Sequence, residues 1–404
     1  MTKRLASLLA TFLLLACGRE APGPGAAQGP APGLDALLGA AVENGQVPGV
    51  VAMVATVDGV VYERGERFPV DGIFAIASMT KPVTSVAVMQ LVEAGKVRLD
   101  EPVQTYLPEL AGIQVLENGA LRPPRSAPTV RHLLTHTSGF AYDLFNPDIA
   151  ALAQAGKTGS ALNDSDAFLS APLVFDPGSR FEYGINTDWL GRLIERVSGQ
   201  TLEDYFHSSI FEPLGMTDTY FNVPPEKHDR LVAQYARGPD GAPAALPSAA
   251  PQPVNFLSGG SGLHSTASDY LKFARAILRG GELDGRRILS AASVGLMAQD
   301  QIGDLSVPPL PSQYPDLVVA DVAFPGNVDG FGLGFGLNRA PIPAGRGAGT
   351  LSWGGLLSTY FWIDRENGVC AVVFAHILPF GDPAAVKLVN EFDREVYRLY
   401  GAKP

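Results

Sequence analysis

Cysteine is nearly absent: Cys17 and Cys370 are the only two in 404 residues. Without a disulfide framework, stability has to come from a packed core, and 46% hydrophobic residues suffice to build one. Basic charge is also scarce. Thirty Lys and Arg against 41 Asp and Glu leave a net charge of −11 and a pI near 5.0, which disfavours nucleic acid as a partner. Histidine is sparse, with six residues at 132, 136, 207, 228, 264 and 376. His132 and His136 have the i, i+4 spacing of a zinc site, but Leu133 stands where a H-E-x-x-H motif needs glutamate. With no carboxylate or cysteine cluster to complete a site, no metal or other cofactor is expected. There is no G-x-S-x-G elbow and no internal repeat.

What is present begins at the N-terminus. Lys3 and Arg4 precede the apolar run Leu5–Leu15, and Leu14-Leu15-Ala16-Cys17 follows as a small-residue cleavage site. This reads as a lipoprotein signal peptide over residues 1–16, too short to remain as a spanning helix, with Cys17 as the acylated residue. Residues 17–33, rich in Gly, Pro and Ala, read as a flexible tether. The pattern resembles lipoproteins of Gram-negative bacteria. The lack of aspartate at position 18 then implies outer-membrane sorting, with the domain held on the periplasmic side of the cell envelope.

Ser78-Met79-Thr80-Lys81 carries the chemistry. On a helix, a serine and a lysine three residues apart share one face, so the amine can take or polarise the hydroxyl proton and make the oxygen a nucleophile. The segment Ser78–Gln90 predicts such a helix, with Val83, Val86, Ala87 and Leu91 as a buried stripe. Pro82 near its start costs no intrahelical bond, and Ser78 falls at the positive end of the helix dipole.

The rest of the chain is ordered as strands, helices, strands. A short helix at Leu34–Glu43 and a hairpin of Val50–Thr56 and Val60–Arg64 come first. The middle holds helical segments at Val130–Thr135, Asp166–Leu169, Asp188–Val197, Leu202–Ile210 and Ala267–Leu278, the last capped by Ser265. Strands return at Gly349–Trp353, Ser358–Asp364 and Gly368–Ala375, and a helix over Pro383–Leu399 closes the chain. This order predicts an α/β (α+β) fold in which both chain ends build one antiparallel sheet flanked by helices. The domain would span 34–404, with sheet regions at about 34–95 and 328–404 and a mainly helical insertion at about 96–327. The active site would lie between the two parts. The proline-rich stretches Gly238–Pro253 and Val307–Pro325 are each either a surface loop or part of the cleft rim.

Further motifs give the first its weight. Phe181-Glu182-Tyr183-Gly184-Ile185-Asn186 precedes an apolar helix, and Leu351-Ser352-Trp353-Gly354-Gly355-Leu356 interrupts the C-terminal strands. Pro128–Gly139 and Glu212–Met216 complete the series. In these motifs and their order, from about Leu34 to Leu399, the chain resembles the serine β-lactamase and penicillin-recognising family. Within its class C-like branch it is most similar to the family VIII carboxylesterases. The resemblance implies Ser78 as acylated nucleophile, Lys81 beneath it, and Tyr183 as base, either as a phenolate favoured by the lysine cation or by concerted transfer through Lys81; which of the two holds the proton first stays open. It also implies an oxyanion hole from the backbone N–H groups of Ser78 and Leu356, with Trp353, Gly354, Gly355 and Asn186 at the substrate. The glycines would let that strand approach the substrate closely. His136–Gly139 would serve only to turn the chain, and Ser258–Leu263 would border the cleft without a catalytic part.

Two departures redirect the expected substrate. Trp353 stands where the β-lactamases of this branch carry a lysine for the antibiotic carboxylate. Ile185 takes the place of the asparagine that binds an acylamide, with Asn186 one residue late. Both changes point to uncharged esters, cleaved through an acyl-serine. Two other readings remain open: a β-lactamase or D-alanyl-D-alanine peptidase acting on cell-wall material, and a non-catalytic cell-wall-binding or sensor protein.

Overall fold

The run Val-Val-Ala-Met-Val-Ala-Thr carries no polar residue before its last position, the pattern of a strand covered on both faces. In the computed structural model, which describes residues 31–247 and 251–401, it forms β1 (Val50–Thr56), buried along all but its end. β1 belongs to a seven-stranded sheet with β2 (Val60–Glu66), β3 (Gly330–Phe331), β4 (Gly336–Leu337), β5 (Leu351–Gly355), β6 (Thr359–Asp364) and β7 (Val369–Phe374). The order is β3-β4-β5-β6-β7-β1-β2, and every neighbouring pair is antiparallel. The two chain ends therefore meet inside the sheet, where Val51 of β1 lies opposite Phe374 of β7.

Strand alternation decides what covers each face. The helices that matter here are α1 (Pro32–Glu43), α2 (Thr80–Glu93), α3 (Val130–Leu134), α4 (Asn186–Ser198), α5 (Ala267–Leu278) and α6 (Pro383–Tyr400). On β6, Phe361 meets Tyr270 of α5 with ring centroids 5.1 Å apart, while its neighbour Trp362 meets Phe392 of α6 at 6.2 Å. α5 thus lines one face, and α6, packed with α1, lines the other. The chain between β2 and β3 supplies α2 to α5, and α2 packs against α4.

Several boundaries move from their sequence-based positions. α1 begins at Pro32, so the last two residues of the expected tether are helical, and a Cβ on Gly33 would strike the Glu395 carboxylate of α6. The signal peptide and Cys17 lie outside the described residues. α2 starts at Thr80 and is buried on nearly all sides rather than along one stripe, because sheet and insertion both close on it. The cap of α5 is Thr266 rather than Ser265: its hydroxyl accepts from the Asp269 N–H at 3.1 Å. The segment after Leu202 is α-helical only to Phe206 and continues as a π-helical turn over His207–Phe211.

A buried ion pair ties the sheet to α6. Arg346, fully enclosed, donates from Nε to Asp393 Oδ2 at 3.1 Å and lays its guanidinium over the Trp362 ring at 4.7 Å. Burial pushes the Asp393 carboxyl up, and the arginine opposes that shift. Arg346→Ala leaves the carboxylate enclosed and unpaired. The expected loss is about 3–5 kcal/mol of stability, read from the denaturant midpoint.

Candidate active site

A strained turn presents Ser78. Ala77 holds φ at +43°, a conformation uncommon for a residue with a Cβ. Ala77–Met79 form a 3₁₀ turn that runs into α2, so Ser78 stands just ahead of the α-helix rather than within it. Three bonds hold the turn. The Ile76 N–H donates to the Leu263 carbonyl at 3.0 Å, and the Tyr270 hydroxyl donates to the Met79 carbonyl at 2.9 Å. The Leu263 N–H reaches Thr80 Oγ1 at 3.1 Å.

Lys81 follows on the same face and is almost wholly buried. Its Nζ donates to Ser78 Oγ at 3.0 Å and to the Gly260 carbonyl at 2.8 Å. It lies over the rings of Tyr142 and Tyr183, 5.1 and 4.7 Å from their centroids. The segment expected merely to border the cleft therefore seats the lysine. It also holds Thr84, whose hydroxyl donates to the Gly259 carbonyl at 2.6 Å.

Tyr183 reaches the same point from the insertion. A Cβ on Gly184 would collide with the Phe140 carbonyl, so glycine is required where the chain passes that segment. The Glu182 N–H donates to the His136 carbonyl at 2.9 Å, anchoring the tyrosine segment to the stretch after α3. Asn186 does not take part in the cleft. It is buried at the start of α4, where its Nδ2 donates to His136 Nδ1 at 2.9 Å and its Oδ1 accepts from Ser138. The expected place for it at the substrate is corrected accordingly: one residue of displacement puts its amide behind the cleft wall.

Trp353 is likewise not a substrate surface. Its indole N–H donates to the Tyr183 hydroxyl at 3.1 Å, and its ring stacks on Phe324 with centroids 3.9 Å apart. Phe324 covers it, and the cleft lining includes Phe324 but not Trp353. The glycines after it serve packing as much as access. Gly354 borders the cleft, yet a Cβ there would press on the Tyr360 ring at 2.9 Å. Gly355 lies behind the cleft, and a Cβ there would strike the Ile76 carbonyl. These absences let β5 press against the turn that holds Ser78. Leu356 follows β5 and lines the cleft with Ser78, and neither N–H is among the backbone donors bonded across turns, loops and caps of the described residues. Both donors stay available to an oxyanion.

Burial decides the electrostatics. Desolvation lowers the Lys81 pKa to about 7, with Asp188 opposing the shift. Desolvation pushes Tyr183 well above an ordinary phenol, outweighing hydrogen bonds from Ser78 and Trp353 that favour the phenolate. Sequence left open which of the two is the base, and these directions favour the neutral amine of Lys81 over a Tyr183 phenolate near neutral pH.

The cleft over Ser78 is small, about 80 Å³, and apolar, walled by Leu144, Phe145, Leu162, Leu310, Phe324 and Phe380. No Asp, Glu, Lys or Arg lines it among the described residues. Of the two proline-rich stretches, Val307–Pro325 forms rim by supplying Leu310 and Phe324. From the other stretch, Leu246, Pro247 and Pro251–Pro253 instead border a separate hollow of about 570 Å³ beside His264 and His376. Sequence reading missed Tyr142 and Asp188. Asp188 looks like an ordinary first-turn acid suited to the helix dipole, and only its enclosure beside Lys81 distinguishes it.

Gly355→Val should force β5 away from Ile76 and misplace the Leu356 N–H. In folded variant, labelling of Ser78 by a fluorophosphonate is expected to slow by about 10²–10³-fold. An unchanged rate would refute the placement of this donor.

Comparison with known proteins agrees with this geometry. The Beta-lactamase family model matches residues 34–394. A lovastatin esterase of Penicillium rubens is 31% identical over 404 aligned positions, covering 91% of this chain and 99% of its own. Esterase EstB of Burkholderia gladioli is 31% identical, covering 85% and 89%. A mutant simvastatin synthase from Aspergillus terreus superposes with a TM-score of 0.77 at 30% identity, covering 91% and 94%. A seven-stranded antiparallel sheet, a cleft-facing Ser78 bonded to buried Lys81, and this match along nearly the whole domain place the chain in the Beta-lactamase family.

Proposed function

We propose that this protein is a carboxylesterase that cleaves uncharged, apolar acyl esters through an acyl-Ser78 intermediate. One observation carries the reading: a serine hydroxyl bonded to a buried lysine amine opens into a cleft whose wall bears no charged side chain among the described residues. A substrate carboxylate would be desolvated there without a partner, which disfavours β-lactams and D-alanyl peptides. The esterases among its relatives support the choice. A purely binding role is disfavoured by the intact Ser78, Lys81 and Tyr183 group.

In the acylation step, Ser78 Oγ attacks the ester carbonyl while its proton passes to the neutral Lys81 amine. The carbonyl oxygen becomes an oxyanion held by the N–H groups of Ser78 and Leu356. Collapse breaks the bond to the alkoxy oxygen, which takes a proton from Lys81 by way of the Tyr183 hydroxyl and leaves as alcohol. Water then attacks the acyl carbon, gives its proton to the same pair, and frees the acid as the proton returns to Ser78.

Lys81 must be neutral to accept the proton, so kcat/KM for p-nitrophenyl butyrate is expected to rise with pH through about 7. Nitrocefin is expected to turn over at least about 10²-fold more slowly, and Ser78→Ala to abolish ester turnover. Fast nitrocefin hydrolysis with weak esterase activity would overturn the assignment.

We further propose that Cys17 is acylated and tethers the domain to the cell envelope, on the periplasmic face of a Gram-negative outer membrane. The basic residues, apolar run and Leu14–Cys17 site support this. Radiolabelled palmitate should enter the full-length chain and not Cys17→Ser; equal incorporation in both would refute the anchor.

A further inference from the structure

Beneath Lys81 lies a carboxylate that the steps above leave unused. Asp188, in the first turn of α4, is fully enclosed. Its Oδ1 accepts from Ser258 Oγ at 2.5 Å and from the Gly260 N–H at 3.0 Å. Its Oδ2 accepts from the Tyr142 hydroxyl at 3.3 Å. Desolvation raises this carboxyl above its ordinary range, and Lys81 together with the three converging donors opposes that shift in favour of the charged form.

The Gly260 peptide joins this carboxylate to the lysine. Its N–H points at Asp188 and its carbonyl accepts from Lys81 Nζ at 2.8 Å, so Asp188 fixes the peptide that aims the amine. A Cβ at position 260 would strike Asp188 Oδ2 at 2.5 Å and the Tyr142 hydroxyl at 2.8 Å, so only glycine fits between them. The other titratable groups around Lys81 are Tyr142, Tyr183 and His136. Burial pushes both phenols up and the imidazole down, so all three stay neutral across the working range. Asp188 is the one anion acting on the amine among the described residues.

We propose that Asp188 is the positioning residue of this site: through the Gly260 peptide and its own charge, it sets the orientation and the protonation of Lys81. This rests on the acyl-serine reading, in which Lys81 accepts the Ser78 proton. Without the anion, burial acts unopposed and the amine loses its proton at lower pH.

The test is Asp188→Asn, whose amide oxygen still accepts from Gly260 and Ser258. The acid limb of kcat/KM for p-nitrophenyl butyrate should move to lower pH by about one unit. The Lys81 Nζ resonance of ¹⁵N-lysine-labelled protein should titrate lower by the same amount. Ser258→Ala keeps the carboxyl but removes a donor, so Asp188 holds its proton more readily; both midpoints should shift the same way by less. That variant decides the matter should Asp188→Asn not fold. If both variants lose activity evenly at all pH values while the Lys81 titration stays fixed, Asp188 is merely structural and the proposal fails. If the native protein hydrolyses no ester, yet Lys81 still responds to Asp188→Asn, the carboxylesterase reading fails and the Asp188–Lys81 coupling stands.

Discussion

The structure turns on the burial of a single amine. A lysine excluded from water loses its solvation, and a neutral ammonia-like nitrogen beside a serine hydroxyl becomes accessible near pH 7. That condition needs walls on every side. α4 and the Ser258–Leu263 segment close from the insertion, the Ser78 turn sits between them and β5, and the Tyr142 and Tyr183 rings roof the amine. Each wall comes from a different stretch of chain, so the chemistry exists only when the domain is folded.

The same packing explains why small residues gather around the site. Gly184, Gly260 and Gly355 each stand where a Cβ would meet backbone or a functional side chain. By letting elements touch, they gather Tyr183, Lys81 and Leu356 around Ser78. The aromatic residues do the complementary work. Phe324 stacks on Trp353, Trp353 donates to Tyr183, and Tyr183 packs on Tyr142 with ring centroids 5.4 Å apart. This series of contacts links a rim segment to the reacting group, and its members are rigid enough to hold a hydroxyl in place.

Trp353 in place of a cation has a double consequence. It removes the charge that would receive a carboxylate, and it supplies an uncharged donor to Tyr183 from within the sheet. The loss of a cation at this place and the bond that holds Tyr183 thus follow from one residue.

Much of this was legible in the chain itself. Local patterns carried the strands, most helices and the three motifs, because side-chain period and turn chemistry act over a few residues. The two-ended sheet followed from the order of those elements, Ser78 and Lys81 from their types and spacing, and Tyr183 from the family resemblance of its motif. What sequence left open depends on contacts between distant segments. That Trp353 faces Tyr183, that Asn186 turns away from the cleft, and that Asp188 sits under Lys81 are consequences of packing between segments 50 to 170 residues apart. The protonation order was tertiary too, since desolvation is a property of the enclosing walls and not of the titrating residue. The sequence by itself pointed to Ser78, Lys81 and Tyr183; only the fold brought Tyr142 and Asp188 to them and decided which groups face the cleft, which hold a partner in place, and which gives up its proton first, because enclosure and contact arise only between distant segments.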